Sequence, residues 1–429
     1  MSADLPVAII GAGPVGLAAA AHLAERDVPF LLLEQGPCVG QSVQYWSHVR
    51  LFSPWRLNID PAAARLLGTT GWQAPDLDHL PTGADLLWDY LVPLADHPSI
   101  ASRLLLNAQV VAVGRKDMDK AKSADRDRQP FAIRLSDGRR LEARAVIDAS
   151  GSYFSPNPLG SDGNPVPGEV EHKSRIHYGI PDLHSGHGAR YEGQRVLVVG
   201  AGHSAINAIV DLVELRRGDP KTRIQWALRR GTLDGLFGAG DADSLPARGA
   251  LGARARAAIE AGEVDVLAPL RISALRPAPR GVIVDGDLAG CDFSTVVDEI
   301  IVATGYRPDL AALREVRLRL DPALEAADAL APLIDPNLHS CGSVPPHGYR
   351  ELSHPERDFF IIGMKSYGRA PTFLMATGYE QARSVAAALT GDFEAAARVE
   401  LELPGTRACN RTVPAALPPA DADILARGR

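Results

Sequence analysis

The chain opens with the pattern of a strand buried on both faces. Val7-Ala8-Ile9-Ile10 is an uninterrupted apolar run, as parallel strands covered by helices are. It leads into Gly11-Ala12-Gly13-Pro14-Val15-Gly16 and then an alanine-rich stretch, 17–25, that predicts a helix able to pack close to a sheet. A second apolar run, 30–33, ends at Glu34. Residues 104–106 and 110–113 predict strands, and 131–135 and 140–142 flank Ser136-Asp137-Gly138, a hairpin signal. The stretch 116–128 carries both charges densely and reads as a solvated loop. Val146-Ile147-Asp148 predicts another strand, and the Pro-, Gly- and His-rich stretch 152–193 reads as a connection laid over the surface.

The opening pattern then repeats. Arg195-Val196-Leu197-Val198-Val199 leads into Gly200-Ala201-Gly202-His203-Ser204-Ala205, a helix to about residue 215, and a strand at 224–228. A Gly/Ala-rich loop, 235–252, precedes more helix, and strands are expected at 264–268, 281–284 and 299–303. A last strand at 358–363 and a helix at 372–389 complete the pattern, and the Pro-rich tail after 403 reads as extended or poorly ordered. The fold class expected is α/β, with two Rossmann-like, three-layer dinucleotide-binding domains, the second inserted into the first. The limits expected are 1–160 with 306–400, then 190–305, and a C-terminal tail at 401–429.

The glycine loops carry the chemistry. Gly11 permits a tight turn, Gly13 lets backbone approach a pyrophosphate, and Gly16 allows close helix–strand packing. The helix that starts there turns its positive dipole end toward the anion. Glu34, at a strand end, is placed to accept hydrogen bonds from ribose hydroxyls. In the second loop Ala205 replaces the third glycine, and its second strand ends in Arg229-Arg230 rather than an acid. Guanidiniums bind a 2′-phosphate that a carboxylate would repel, so this loop reads as an NADPH site. The competing readings are an NADH site or two surface arginines. His203 is either a phosphate contact or a polar residue at the helix start. Two dinucleotides in one chain point to hydride transfer from a nicotinamide to a flavin.

Composition narrows the partners. The 429 residues are 46% hydrophobic and 23% charged, values of a globular protein with two or three domains. A net charge of −7 disfavours a nucleic-acid or anionic-membrane surface. Cys38, Cys291, Cys341 and Cys409 form no CxxC pair, which fits a reducing compartment. The first residues carry neither the basic region nor the apolar core of a signal peptide, and no apolar run reaches membrane-spanning length, so a cytoplasmic location is expected. Histidines at 172, 177, 184 and 187, and His339, Cys341, His347 and His354, show no usual zinc spacing, and no metal is expected. The second group is expected to wall a substrate pocket. No GxSxG, HExxH or paired-carboxylate pattern favours a hydrolase.

With both loops in view, the chain resembles the two-dinucleotide-domain flavoproteins, with FAD on the first loop and NADPH on the second. Asp148-Ala149-Ser150-Gly151 and Ala303-Thr304-Gly305-Tyr306-Arg307-Pro308-Asp309 are similar to the family's hinge strands. The likeness extends to about residue 395. Members related to thioredoxin reductase carry a CxxC or pass electrons to a carrier, with an Asp after the glycine of the last FAD strand. Here Met364 follows Gly363. The class B flavin-containing monooxygenases are resembled by EQGPCVGQSVQYW from Glu34 to Trp46, by VRLFSPWRLNID from Val49 to Asp60, and by GMKSYGRAPTFLMATGYEQ. Of that branch's Phe-x-Gly-x-x-x-His fingerprint only His177 survives, with Glu171 and Lys173 at the Phe and Gly positions. Phe52 stands where many members have an active-site Asn.

The resemblance implies FAD contacts at Gly11, Gly13, Pro14, Gly16, Glu34, Gln41, Trp46, Val110, Gly151, Gly363 and Thr372. It implies NADPH contacts at Gly200, Gly202, His203, Ser204, Ala205, Arg229, Arg230, Thr304 and Gly305. At least one of Tyr45, Trp46 and Trp55 is expected to touch the flavin. Asn58, with Ser53, is the expected catalytic substitute for the missing Asn. The activity implied is oxygenation of a small soft nucleophile by NADPH, FAD and O2 through a flavin hydroperoxide, with a homodimer as the expected assembly. The alternative is a thioredoxin-reductase-like enzyme passing electrons to a carrier or quinone. A flavin-binding scaffold without turnover is a third reading, which the second loop disfavours.

Overall fold

The computed structural model describes residues 5–233, 235–237, 245–338, 344–371 and 373–401. Beyond Leu401, the tail lies outside the described residues. The first strands and helices are β1 (Val7–Ile10), α1 (Pro14–Ala24), β2 (Phe30–Leu33), α2 (Gln41–Tyr45) and α3 (Pro61–Gly68). Then come β3 (Leu104–Leu105), β4 (Val110–Arg115), β5 (Phe131–Leu135), β6 (Arg140–Ala143) and β7 (Ala145–Asp148). The middle of the chain holds β8 (Ile176–Tyr178), β9 (Arg195–Val199), α4 (His203–Gly218), β10 (Arg223–Ala227), α5 (Pro246–Glu260) and β11 (Asp265–Leu267). It continues through β12 (Leu270–Pro277), β13 (Val282–Leu288), β14 (Cys291–Val297) and β15 (Glu299–Val302), and later come β16 (Phe359–Ile361) and α6 (Met375–Leu389).

Two five-stranded parallel sheets organise the molecule, in the orders β16-β7-β1-β2-β3 and β11-β10-β9-β15-β8. The second sheet's strands all fall between β7 and β16 of the first, so one parallel α/β unit interrupts another. The long apolar runs explain the parallel pairing. Every residue of β1, β7 and β15 is buried, because helices or a further sheet cover both faces. In α1, Ala18, Ala19, Ala20 and Ala21 are fully buried, and their small side chains bring the helix close to β1 and α6. Register aligns the strand ends: Ile10 pairs with Leu33 and Asp148, and Val199 with Ala227 and Val302. Gly11, Glu34 and Ala149 therefore emerge along one edge, and Gly200, Leu228 and Ala303 along another.

Two three-stranded antiparallel sheets, β4-β5-β6 and β12-β13-β14, accompany the parallel ones. Several expectations change here. The connection 152–193 holds β8, which pairs with β15 at the edge of the second sheet. Strands β12 and β14 were not legible as strands. In β12 a register irregularity between Ile272 and Ala274 breaks the alternation, and in β14 one face is polar and exposed. The glycine-rich stretch 235–252 enters α5 at Pro246. Gly252 is required inside that helix, since a Cβ there would lie 2.2 Å from the Phe237 carbonyl oxygen.

Candidate functional site

Each glycine loop is built the same way. Gly11 (φ +98) and Gly200 (φ +136) adopt backbone conformations that favour glycine. A Cβ on Gly11 would approach the Ala149 carbonyl oxygen to 2.8 Å, and one on Gly200 would approach that of Ala303 to 2.3 Å. Gly13 and Gly202 are the N-caps of α1 and α4, without a side-chain cap bond on either helix. Nothing lies within 4 Å of a Cβ placed on either of them. Both helix starts thus lack a side-chain cap and have room beside a residue with no side chain, the arrangement that holds a pyrophosphate. Gly16 is the packing glycine, since a Cβ there would sit 1.9 Å from the Gly11 carbonyl oxygen. Ala205, at the matching place in α4, is fully buried.

The first loop opens into a cavity of about 550 Å³ that runs along the C-terminal ends of the first sheet, a size within the range of cofactor sites. Its wall brings together Gly11, Gly13, Pro14, Glu34, Gln41, Trp46, Val110, Gly151 and Gly363 from the expected FAD set. Gly16 lies behind it under the turn, and Thr372 falls outside the described residues. The Glu34 carboxylate is buried and accepts the N–H groups of Ala12 (2.8 Å) and Gly36 (2.9 Å). One lone pair on each oxygen remains for ribose hydroxyls, so Glu34 can both clamp the loop and face the sugar. Phe373 and Met375, at the start of α6, also line the cavity.

An aromatic cluster flanks the opening. Tyr153 stacks on Tyr45 (5.9 Å between centroids) and on Tyr306 (5.3 Å), and Phe154 meets Tyr45 and Tyr153 edge-on. Burial pushes the Tyr153 hydroxyl upward in pKa, with Tyr45 adding to it. These contacts join α2 to the segment after β7, and sequence patterning did not reveal them. Trp46 lines the cavity, whereas Trp55 is 1% exposed and packs against Tyr90 in the core.

The structure does not place Asn58 and Ser53, the expected catalytic pair, among the residues that line this cavity. Asn58 is fully buried and its side chain is committed to its own turn. Its amide donates to the Ser53 (2.7 Å) and Pro54 (3.0 Å) carbonyls and accepts the Ser53 hydroxyl (2.9 Å). The Asn58 carbonyl takes the Tyr379 hydroxyl at 2.8 Å. These bonds shape the 53–58 turn and take up both amide N–H donors. Phe52, on the same turn, instead packs against the core of the second unit and meets the His203 ring edge-on at 5.6 Å. That contact joins the two halves of the molecule at the start of α4.

On the second loop, Gly200, Gly202, His203, Ser204 and Ala205 surround the N-terminus of α4. The Trp226 indole N–H donates to the Gly200 carbonyl (2.8 Å), fixing the loop to β10. Arg229 and Arg230 follow that strand and are exposed, with an Arg229 N–H on the Ser161 carbonyl at 3.0 Å. Thr304 and Gly305 cross the 149–157 segment. The Thr304 hydroxyl donates to the Asn157 carbonyl (2.8 Å), and the Asn157 N–H to that of Gly305 (2.9 Å).

The histidines divide among structural roles. His347 is buried, its Nδ1 bonds the Pro345 carbonyl (3.1 Å), and its Nε2 accepts from the Gln381 amide (2.9 Å). Burial holds its pKa below the ordinary value, so the ring is neutral at pH 7. Gln381 in turn accepts the Gly363 N–H at 2.7 Å. His347 therefore supports the cavity from behind and does not line it, and His339 and Cys341 lie outside the described residues. His177 sits in β8, where burial also lowers its pKa. Among the described residues no group of three or more His, Cys, Asp or Glu side chains is arranged to hold a metal. No described helix is long and apolar enough to cross a membrane.

Two parallel sheets, each opening on a glycine loop and a bare helix start, define a protein that binds two dinucleotides. The family model described as pyridine nucleotide-disulphide oxidoreductase matches residues 8–337, and the chain belongs to that family. It is an FAD-dependent NADPH oxidoreductase. A ferredoxin–NADP reductase of Thermus thermophilus is 24% identical over 264 residues, covering 59% of this chain and 71% of that protein. A probable indole-3-pyruvate monooxygenase, YUCCA7 of Arabidopsis thaliana, is 28% identical over 208 residues, covering 48% of this chain and 43% of that protein. The chain thus spans less than half the length of that monooxygenase. The bacillithiol disulfide reductase Bdr of Bacillus cereus has the same fold, with a TM-score of 0.66 at 16% identity, covering 90% of this chain and 99% of that one.

Proposed function

We propose that the chain is an NADPH-dependent flavin monooxygenase that delivers one oxygen atom from O2 to a small soft nucleophile, a thioether, amine or ketone. FAD lies in the first cavity and NADPH on the second loop, with Arg229 and Arg230 on its 2′-phosphate. The observation that carries the reading is the wall of the cavity. Among its lining residues there is no cysteine, and no CxxC pair stands anywhere in the sequence, so electrons have no dithiol relay to follow out of the flavin. Bound FAD supplies the redox chemistry, accepting a hydride from NADPH and passing the electrons on. The protein's part is to hold and enclose. Glu34 and the α1 start fix the adenosine and phosphates, Trp46, Phe373 and Met375 keep water from the far end, and Phe52 against His203 ties the nicotinamide loop to the first unit. We further propose domain limits near 1–160 with 306–400 and 190–305, a cytoplasmic setting, and a homodimer.

A second reading has its own support. The sequence likeness to a ferredoxin–NADP reductase and the fold likeness to a disulfide reductase favour transfer to a carrier or quinone. Rapid mixing separates the two. Holoprotein reduced by NADPH without air is mixed with oxygenated buffer. A long-lived absorbing state distinct from oxidised and reduced flavin is expected for the monooxygenase. Direct return to the oxidised spectrum, with fast turnover on a quinone or ferredoxin, would establish the second reading instead.

A further inference from the structure

We propose that Lys365 is the cation that meets the pyrophosphate of the dinucleotide in the first cavity, with Asp148 and Ser150 positioning its ammonium group. The proposal rests on the reading that FAD occupies that cavity. Lys365 follows β16, is 5% exposed, and lines the cavity. Its Nζ donates to Asp148 Oδ2 (2.7 Å) and to the Ser150 hydroxyl oxygen (3.0 Å). An ammonium has three N–H donors, and the third has no protein partner among the described residues. A buried charge with an unmet donor is costly unless a further group meets it.

The charges on the wall point the same way. Glu34, Asp148 and Asp309 line the cavity, and Lys365 is the one cationic side chain among the lining residues. A pyrophosphate adds further negative charge to that wall. Asp148 also accepts the Ser150 N–H (3.0 Å) and hydroxyl (2.6 Å) on its other oxygen, which holds the carboxylate in place and so fixes the lysine. The turn carrying Lys365 also lies against the first turn of α1, because a Cβ on Gly363 would come within 3.3 Å of the Val15 side chain. The ammonium and the bare helix start thus address one anion from two sides. Sequence patterning gave no sign of this pair, whose members stand 217 positions apart.

The competing account is that the ion pair only ties the end of β7 to the turn after β16. Lys365→Met alone would strand a buried carboxylate, so it is compared with the double variant Asp148→Asn/Lys365→Met, which leaves no unpaired charge. The readout is the dissociation constant of FAD from each apoprotein, measured by flavin fluorescence with oxidised and with chemically reduced cofactor. A charge-assisted hydrogen bond predicts a loss of about 10- to 100-fold in both variants, equal for the two redox states. Affinity restored in the double variant overturns the proposal in favour of a structural tie. A loss confined to reduced FAD overturns it by placing the ammonium at the flavin ring. Wild-type affinity in Lys365→Met defeats this inference alone, whereas wild-type protein that binds no FAD defeats the cofactor reading beneath it.

Discussion

Gly13 and Gly202 are matched sites for separating fold from cofactor. Each caps a helix in an extended conformation open to any L-residue (φ −82, ψ −173 and φ −96, ψ 177), and a Cβ on either meets nothing within 4 Å. Gly13→Ala loses roughly 0.5–1 kcal/mol of N-cap preference. It gains roughly 0.4–1 kcal/mol by restricting the unfolded chain. The two effects cancel, so the apoprotein should melt as the wild type does. With cofactor the result differs, because the methyl group stands where the phosphates approach the backbone. Overpacking of about 1–3 kcal/mol raises the FAD dissociation constant about 5- to 150-fold. Gly202→Ala should do the same to NADP⁺ and leave FAD untouched. Urea unfolding of both apoproteins, with FAD and NADP⁺ titrations of each variant, tests the whole pattern. Unchanged FAD affinity in Gly13→Ala would place the phosphates away from this helix start, and an apoprotein weakened by more than about 2 kcal/mol would make Gly13 a structural residue instead.

Arg229→Ala/Arg230→Ala should raise the dissociation constant for NADPH by about 10-fold or more and leave that for NADH nearly unchanged, measured by anaerobic flavin reduction over a range of each nucleotide; equal losses contradict the phosphate assignment. Glu356 is buried between Arg115 (2.8 Å) and Arg126 (2.8 Å). Burial alone would raise its pKa, but the hydrogen bonds from Arg126, Arg115 and the Arg317 N–H outweigh that and lower it. The stability it contributes is therefore present above the ordinary glutamate pKa and lost as pH falls through the lowered value. Glu356→Gln should cost about 3–5 kcal/mol at neutral pH, shrinking in acid, as urea unfolding at several pH values will register. The neutral His347 ring supports Gln381 and hence the Gly363 turn. Its lowered pKa means that stability falls as pH drops below about 6.5. FAD release should quicken over that range, and His347→Gln should flatten the pH dependence of the release rate. An unaltered slope in the variant excludes this link.

Much of the fold was legible because parallel strands buried on both faces leave apolar runs that little else produces. β1, β2, β9 and β15 could be placed within a residue or two, and each glycine loop named the helix that follows. Antiparallel strands with a solvated face left a weaker trace, and β12 and β14 became visible only in three dimensions. A three-residue edge strand such as β8 is too short to carry a period at all. The cavity wall was readable where backbone chemistry dictates residue type, as at Gly11, Gly13 and Glu34. It was not readable where side chains meet across the sequence. Lys365 with Asp148, and Tyr45 with Tyr153 and Tyr306, are assembled by register and loop path. Asn58 is the reverse case: a polar residue in a promising segment whose side-chain hydrogen bonds turn inward to build a local turn.

With no cysteine among the lining residues of the first cavity, electrons that FAD takes from NADPH should stay on the flavin. Anaerobic titration of the holoprotein with NADPH tests it most directly. Complete bleaching of the flavin is expected at one equivalent of NADPH per FAD, with no further uptake. A second equivalent consumed would reveal a redox partner that the cavity does not contain, and a flavin left unbleached would contradict the pairing of the two loops.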